Sequence, residues 1–320
     1  QPVRAGVGAL VEVQQGIVAA LKVRSEAPGA AIGKLLVAAQ DAADHLASVP
    51  GDTAARDAYN FAISRVFGVI KDNDLDPWST PLTFPSSCGE ITLTHRPDPR
   101  PNWNPALYEF SPADRFNLKG SYVRERTTRT GIGAPLVADG RDLTVRVKED
   151  FSIPRIYYGV TAVVRFEGRR AIVSIEDPLA TEEVRFAGRT HPLAADFSVP
   201  LAIMLTSMQP TKFGIRRLLR PAEYEETTRI ARLQPYNPDK TVILVIHGLA
   251  SSEATWTPMI NTLRGDPRIR KNFQFWFFSY PSGYPYPHSA AILRRELDGI
   301  EKRYPLRKKM VVMGHSMGGC

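Results

Sequence analysis

The chain has little cysteine and no long apolar run. Its two cysteines, Cys88 and Cys320, stand far apart among 320 residues and provide no framework of disulfides. No stretch reaches the roughly 18 consecutive apolar residues of a membrane-spanning helix. Residues 77–211 contain no cluster of metal ligands, phosphate-binding loop or nucleotide fingerprint.

The net charge is positive, but no nucleic-acid signature accompanies it. The formal charge is +8, and 12 Lys and Arg against 6 Asp and Glu from residue 236 onward contribute +6 of it. No basic run is interleaved with aromatic residues as in single-strand binders, so we expect no nucleic-acid binding. A hydrophobic content of 43% predicts a folded globular core.

The last residues of the sequence contain a G-x-S-x-G motif centred on Ser316. The preceding run, 308–313, predicts a buried strand, and Gly314, Gly318 and Gly319 flank the serine with small residues. Strand, sharp turn and helix in this order form the nucleophile elbow of serine hydrolases. Neighbours without bulk leave room for the Oγ atom to stand clear of the sheet. Ser316 is therefore the predicted nucleophile, and a glycine-rich turn with an idle serine is the alternative.

A second motif lies upstream, where an uncharged run at 241–246 predicts a strand buried on both faces and ends at His247-Gly248. Acyl transfer builds negative charge on the carbonyl oxygen, and each fixed backbone N–H donor aimed at it contributes about 3 to 4 kcal/mol. The predicted donors are the amides of Leu249 and Met317. His247 precedes the serine in chain order. We expect it to shape the oxyanion loop by a ring hydrogen bond, with proton transfer as the alternative.

The residues between the two motifs alternate between helix and strand. Thr257 and Pro258 predict a helix start and Gly265 its end. Residues 273–280 predict a second buried strand, and Ser289 is a candidate cap for the next helix. This order predicts a parallel, doubly wound unit with its reactive groups at the carboxyl ends of the strands.

The segment from about Leu219 to Cys320 resembles the front half of bacterial α/β-hydrolases of the esterase and lipase type. The likeness lies in VILVIHGLASSEATW, FQFWFFSYPSGYPYP and MVVMGHSMGG, and it covers about a third of the chain. It implies Ser316 as nucleophile, backbone donors at Leu249 and Met317, and no cofactor. Larger relatives carry an extra N-terminal region, which GIGAPLVA at 131–138 resembles more weakly.

The acid and histidine of the catalytic triad are not found in this sequence. In this fold they follow the serine along the chain, whereas the sequence ends four residues after Ser316. We therefore expect both partners in a downstream segment, and we expect the 320-residue chain to be inactive and prone to aggregation. A swapped triad that uses His288 is the alternative.

The predicted reaction is hydrolysis of a carboxylic ester through a Ser316 acyl-enzyme. Tyr284 and Tyr286 follow the second strand and are candidates to line an apolar acyl pocket, which favours esters of lipids or other hydrophobic acids. An acyltransferase, an amidase or peptidase, and a catalytically silent module that binds a protein partner stay open as alternatives.

The predicted fold class is α/β, an incomplete α/β-hydrolase sheet preceded by two further regions. We divide the chain into a helical region at 1–75, a β-rich accessory domain at 76–218 and the truncated hydrolase domain at 219–320. Asp52 is the predicted cap of a helix whose buried face is formed by Ala55, Tyr59, Ala62, Ile63, Val66, Phe67 and Ile70.

In the accessory region, the alternation at 142–147 predicts a strand. Residues 160–166 and 170–175 flank Gly168 and predict a hairpin. The prolines that crowd residues 77–112 predict a loop there.

Partners and location are the least determined properties. The helical region has no clean fixed-period repeat, so a helical domain packed on its neighbour is favoured over a partner-binding array. A peripheral membrane or protein contact through the N-terminal region stays open. The sequence begins at Gln1 and not at a methionine, so whether a signal, a lipid anchor or further sequence precedes it stays open. The location is open, with the periplasmic or membrane-associated cell envelope favoured over the cytoplasm.

Overall fold

The computed structural model describes residues 7–87, 89–98, 104–118, 123, 125–140, 157–208, 218–223, 228–234, 236–304 and 306–320. The chain has mixed α/β content and forms two compact units, each described by itself. The first comprises Gln1–Asn117, Thr128–Gly140 and Gly159–Asp196; the second comprises Leu118–Thr127, Arg141–Tyr158 and Phe197–Cys320. The division predicted after residue 75 falls inside the first unit and that after residue 218 inside the second. The predicted strand at 142–147 lies outside the described residues.

The first unit is a six-stranded sheet with helices packed on it. Its helices are α1 (Val7–Val23), α2 (Pro28–Ser48) and α3 (Thr53–Asp72). Its strands are β1 (Leu82–Ser86), β2 (Gly89–His95), β3 (Glu109–Pro112), β4 (Thr128–Arg129), β5 (Ala134–Asp139), β6 (Tyr157–Glu167), β7 (Arg170–Glu176), β8 (Glu183–Phe186), β9 (Arg189–Pro192) and β10 (Ala195–Asp196). The sheet order is β1-β2-β7-β6-β5-β3, while β8 pairs with β9 and β4 with β10.

Helix α3 forms as its apolar spacing predicts. All seven residues of the predicted face are buried. The predicted cap is confirmed, because Asp52 accepts hydrogen bonds from the backbone N–H groups of Ala54 and Ala55 at 2.9 and 3.1 Å. These bonds satisfy two of the amide groups that a helix start leaves without partners. Tyr59 on this face also links the helix to the sheet, because its hydroxyl donates to the Val164 carbonyl of β6 at 2.7 Å.

The loop predicted at 77–112 is wrong, because β1, β2 and β3 lie within it. Pro85 and Pro112 belong to β1 and β3, which are the two outer strands of the six-stranded sheet. An outer strand tolerates proline, since the missing N–H group need not face a neighbouring strand. The predicted hairpin is confirmed: β6 and β7 pair antiparallel, and Gly168 has φ +60 in the turn between them.

The second unit contains a four-stranded sheet and four helices among its described residues. The helices are α4 (Ser198–Met208), α5 (Thr257–Gly265), α6 (Pro267–Asn272) and α7 (Tyr286–Arg303). The strands are β11 (Arg229–Arg232), β12 (Thr241–Ile246), β13 (Phe273–Ser279) and β14 (Val311–Gly314), in the order β11-β13-β12-β14. Strand β12 pairs parallel with both neighbours, and β11 pairs antiparallel with β13. The sheet is therefore mixed, with a parallel part where the motifs lie.

Two predicted helix starts are wrong, by one residue for α5 and by four residues for α7. Helix α5 includes Thr257 and has Trp256 at its N-cap, whereas α7 begins at Tyr286 and has Ser289 within its first turn. Each helix has a proline at one of its first two positions, where the fixed φ of proline suits a helix. The proline at 287 therefore allows α7 to start before the serine.

Strand β14 is shorter and more exposed than the sequence predicts. It spans Val311–Gly314 instead of 308–313, and the exposed fractions of Val311 and Val312 are 43% and 56%. The prediction of a buried strand is wrong because β14 pairs only with β12 in the described sheet and lies at its edge. By contrast, Val242 to Ile246 of β12 are all buried, as predicted for a strand between two neighbours.

Candidate active site

The parallel pairing brings the predicted motifs to one edge of the four-stranded sheet. The last residue of β12, Ile246, lies opposite Phe278 of β13 and Gly314 of β14. The chain therefore leaves all three strands at the same level, which is where open α/β sheets bind their ligands. The residues that follow are His247 after β12, Tyr280 after β13 and His315 after β14.

Ser316 has a strained backbone at the start of a tight turn. Its φ is +54°, in the left-handed region that costs a residue with a side chain about 1–2 kcal/mol. The Gly318 N–H donates to the His315 carbonyl and the His315 N–H donates to the Ile246 carbonyl, both at 3.0 Å. A 3₁₀ turn, Ser316–Gly319, follows. This is the strand-to-turn geometry predicted for the nucleophile.

The glycines around Ser316 are required by close backbone contacts. A Cβ atom on Gly314 would lie 2.1 Å from the Gly318 carbonyl oxygen. A Cβ on Gly318 would lie 2.6 Å from the carbonyl oxygens of both Ile246 and His247. Real Cβ atoms do not approach backbone this closely, so only glycine fits at either position. The spacing of the G-x-S-x-G motif thus reflects packing of the turn against the end of β12.

The loop after β12, residues 247–250, contacts the serine turn and is called the β12 loop below. A Cβ on Gly248 would lie 2.9 Å from the Ser316 Cβ. In the part of the chain that the structure describes, neither the Leu249 nor the Met317 backbone N–H donates a hydrogen bond. Both predicted oxyanion donors are therefore available to an external acceptor.

His247 is enclosed where the β12 loop begins. Only 1% of it is exposed, and its Nδ1 lies 3.1 Å from the Gly248 carbonyl oxygen. Because a carbonyl only accepts, Nδ1 carries the proton in this contact. Its ring stacks on Tyr280 with centroids 4.3 Å apart and planes 17° apart. The expected ring hydrogen bond is present, while the role of His247 in catalysis stays a prediction.

Two residues that sequence analysis assigned only to a strand and its end reach the β12 loop. The Tyr280 hydroxyl donates to the His247 carbonyl at 2.7 Å, and the Ser282 Oγ accepts from the Ala250 N–H at 3.0 Å. Burial, together with the nearby Cys320, raises the pKa of Tyr280 to about 12. Their position directly after β13, at the same sheet edge as the motifs, is the signal that could have identified them.

No protein-family model, curated protein or solved structure matches this chain. The likeness to α/β-hydrolases therefore rests on the quoted motifs, and a function can be proposed only from the geometry of the site.

The remaining predicted site residues, Tyr284 and Tyr286, lie at and just before the start of α7. The Tyr284 ring lies 4.5 Å from the His288 ring, and 61% of Tyr286 is exposed at the start of α7. The acyl-pocket role of both tyrosines stays a prediction. His315 is exposed, and its ring meets the Trp256 ring edge-on at 6.4 Å.

No triad is assembled around Ser316 in the described residues. Within them, the Ser316 Oγ makes no hydrogen bond, to His288 or to any other group. Cys320, the C-cap of the 3₁₀ turn that follows the serine, is exposed.

The described residues contain no group of three or more His, Cys, Asp or Glu side chains that could hold a metal ion. None of their helices combines the length and the apolar character that crossing a membrane requires.

Proposed function

We propose that the chain carries the nucleophile half of a serine hydrolase that cleaves carboxylic esters. The observation that supports the proposal most is the strained Ser316 beside two backbone N–H groups without acceptors, those of Leu249 and Met317. Strain of this kind persists only where the surrounding structure imposes it, and it concentrates at functional sites.

The proposed reaction has two steps. The Ser316 Oγ attacks the ester carbonyl carbon, and the oxygen that becomes negative accepts hydrogen bonds from the Leu249 and Met317 amides. The C–O bond to the alcohol breaks, the alcohol takes a proton, and water then hydrolyses the acyl-enzyme to release the acid. A histidine must take the Ser316 proton, and chain order in this fold places it after the serine.

Hydrophobic esters are the proposed substrates. Tyr284 and Tyr286 follow the strand whose end reaches the β12 loop, and their rings offer apolar surface for an acyl chain. The same acyl-enzyme would serve an acyltransferase, and analysis of the products in water and in added alcohol distinguishes the two activities.

The test uses the complete reading frame of the source gene. We expect hydrolysis of nitrophenyl esters, a loss of at least about 10⁴-fold in Ser316→Ala, and no loss in Ser48→Ala, an exposed serine of α2. A fluorophosphonate should label the peptide that contains Ser316. Turnover that survives Ser316→Ala would contradict the proposal, and a complete frame without activity or labelling would favour a silent, partner-binding module.

A further inference from the structure

We propose that Tyr280 and Ser282 are positioning residues that hold the β12 loop at its two ends and thereby aim the Leu249 N–H at the substrate oxygen. This inference rests on the proposed function, because it assigns a task within the same site. Neither side chain touches the reacting atoms in this assignment. Each acts through one hydrogen bond to the backbone of the loop.

The first anchor is the Tyr280 side chain. It is buried, with 3% exposed, and its ring stacks with the His247 ring at 4.3 Å and with the Phe278 ring at 4.9 Å. Its hydroxyl donates to the His247 carbonyl at 2.7 Å. Because burial and two ring contacts hold the Tyr280 side chain, its hydroxyl is fixed relative to β13, and the peptide between His247 and Gly248 is fixed with it.

The second anchor is the Ser282 hydroxyl. Only 2% of Ser282 is exposed, and its Oγ accepts a hydrogen bond from the Ala250 N–H at 3.0 Å. Ala250 has φ +53°, a left-handed conformation that is unfavourable for alanine. Such a conformation needs a local partner to hold it. The structure provides two: the Ala250 N–H donates to the Ser282 Oγ at 3.0 Å, and the Ser251 N–H donates to the Gly248 carbonyl across the turn at 3.3 Å. Of the two, the bond to Ser282 is the one that ties the turn to the end of β13.

The two hydrogen bonds can fix the direction of the Leu249 N–H because the segment between them is short. Only Gly248 and Leu249 lie between His247 and Ala250, and 55% of Leu249 is exposed. Packing of the Leu249 side chain therefore contributes little to the direction of its N–H group. An oxyanion donor is effective only when it is aligned before the reaction, and a displacement of about 1 Å can cost on the order of 100-fold in rate.

The test measures kcat and KM in the complete reading frame. We expect Tyr280→Phe and Ser282→Ala each to lower kcat by about 10- to 100-fold while KM changes by less than about threefold, because the oxyanion exists only in the transition state. Ser282→Thr keeps a hydroxyl at the same position and should retain most of the wild-type kcat.

Two control variants remove the same kinds of hydrogen bond elsewhere. Tyr59 in α3 also donates from a buried hydroxyl to a backbone carbonyl at 2.7 Å, and Ser198 accepts the Thr127 N–H at 2.7 Å. Tyr59→Phe and Ser198→Ala should lower the melting temperature without lowering kcat. If they lower kcat as much as the Tyr280 and Ser282 variants do, the effect is general destabilisation and the inference is overturned.

Amide hydrogen exchange provides a readout that does not depend on turnover. We expect the Ala250 N–H to exchange at least about tenfold faster in Ser282→Ala, because its acceptor is gone. Unchanged exchange at Ala250 together with unchanged kcat would overturn the inference. If Ser316→Ala abolishes turnover while the Tyr280 and Ser282 variants match wild type, the inference fails and the proposed function stands. If turnover survives Ser316→Ala, both the proposed function and this inference, which rests on it, are overturned.

Discussion

Two residues, Ala187 in the first unit and Ser316 in the second, have nearly the same unusual backbone in very different surroundings. Their φ values are +48° and +54°. Ala187 and Gly188, with φ +78°, form the two-residue turn between β8 and β9. This is the conformation of a type I′ hairpin turn, which the twist of paired strands favours. A Cβ on Gly188 would meet no atom within 4 Å, so the turn is open to solvent.

The turn at Ser316 differs because backbone crowds it from several sides. The glycines on either side have carbonyl oxygens within 2.1 to 2.6 Å of where a Cβ would lie. Within the residues that the structure describes, the N–H groups of Met317, the next residue in the chain, and of Leu249, in the loop that contacts the serine turn, donate no hydrogen bond. Ala187, in contrast, lies in a simple hairpin. A positive φ is therefore explained at Ala187 by strand twist alone. At Ser316 it coincides with tight packing and with available donors, and this combination is what supports the proposed function.

The largest effect is expected for Gly318→Ala. The new Cβ would lie 2.6 Å from two carbonyl oxygens of the β12 end, which cannot move without disrupting the sheet. We expect a loss of about 3 kcal/mol or more in the free energy of unfolding, measured by urea denaturation. Gly299→Ala in α7, where a Cβ meets no atom within 4 Å, is the control and should be neutral or slightly stabilising. Equal effects of the two substitutions would refute the crowding argument.

A smaller effect of opposite sign is expected at the nucleophile itself. Ser316→Ala keeps the strained φ with a Cβ in place, whereas Ser316→Gly removes the strain. The glycine variant should therefore be more stable than the alanine variant by about 1 kcal/mol, compared in denaturant titrations of the same chain. A glycine variant that is no more stable would mean that the turn is not strained.

A substitution in the β8–β9 turn tests whether the positive φ of Ala187, which lies outside the candidate site, is needed for activity. Ala187→Asn creates an Asn-Gly pair, the preferred sequence for this turn type. We expect a gain of roughly 0.5–1 kcal/mol, seen as a higher melting temperature, with no change in ester turnover by the complete reading frame. A drop in turnover would show that Ala187 belongs to the functional machinery and would remove the contrast with Ser316.

The smallest effect concerns pH and tests the burial of Tyr280. Burial and the nearby Cys320 raise its pKa from 10.0 to about 12, so the unfolded chain loses this proton first. The contribution to stability is complete below pH 10 and is lost as the pH rises toward about 12. The free energy of unfolding should therefore fall more steeply over this range in wild type than in Tyr280→Phe. Parallel curves would indicate that the Tyr280 hydroxyl is hydrated.

Much of the second unit could be predicted because its signals are local. The uncharged run of β12 lies buried between two strands. Apolar residues spaced four, three and four positions apart along α7 and its end pack on the core, namely Leu293, Leu297, Ile300 and Tyr304. The predictions were wrong where the position of a strand in its sheet determines the structure. Prolines in β1 and β3 predicted a loop, yet both strands lie at the edges of their sheet. The exposure of β14 likewise depends on its neighbours, which no local pattern reveals.

The sequence by itself determined the bounds of β12, the glycine spacing around Ser316 and the capping of α3 by Asp52. Each depends on residues within a few positions of one another, and the chemistry of glycine, proline and aspartate acts at that range. Only the tertiary structure decided which side chains hold the β12 loop. Tyr280 lies 33 residues from His247, and Ser282 lies 32 residues from Ala250. Their hydrogen bonds exist because parallel pairing of β12 and β13 brings the two strand ends together.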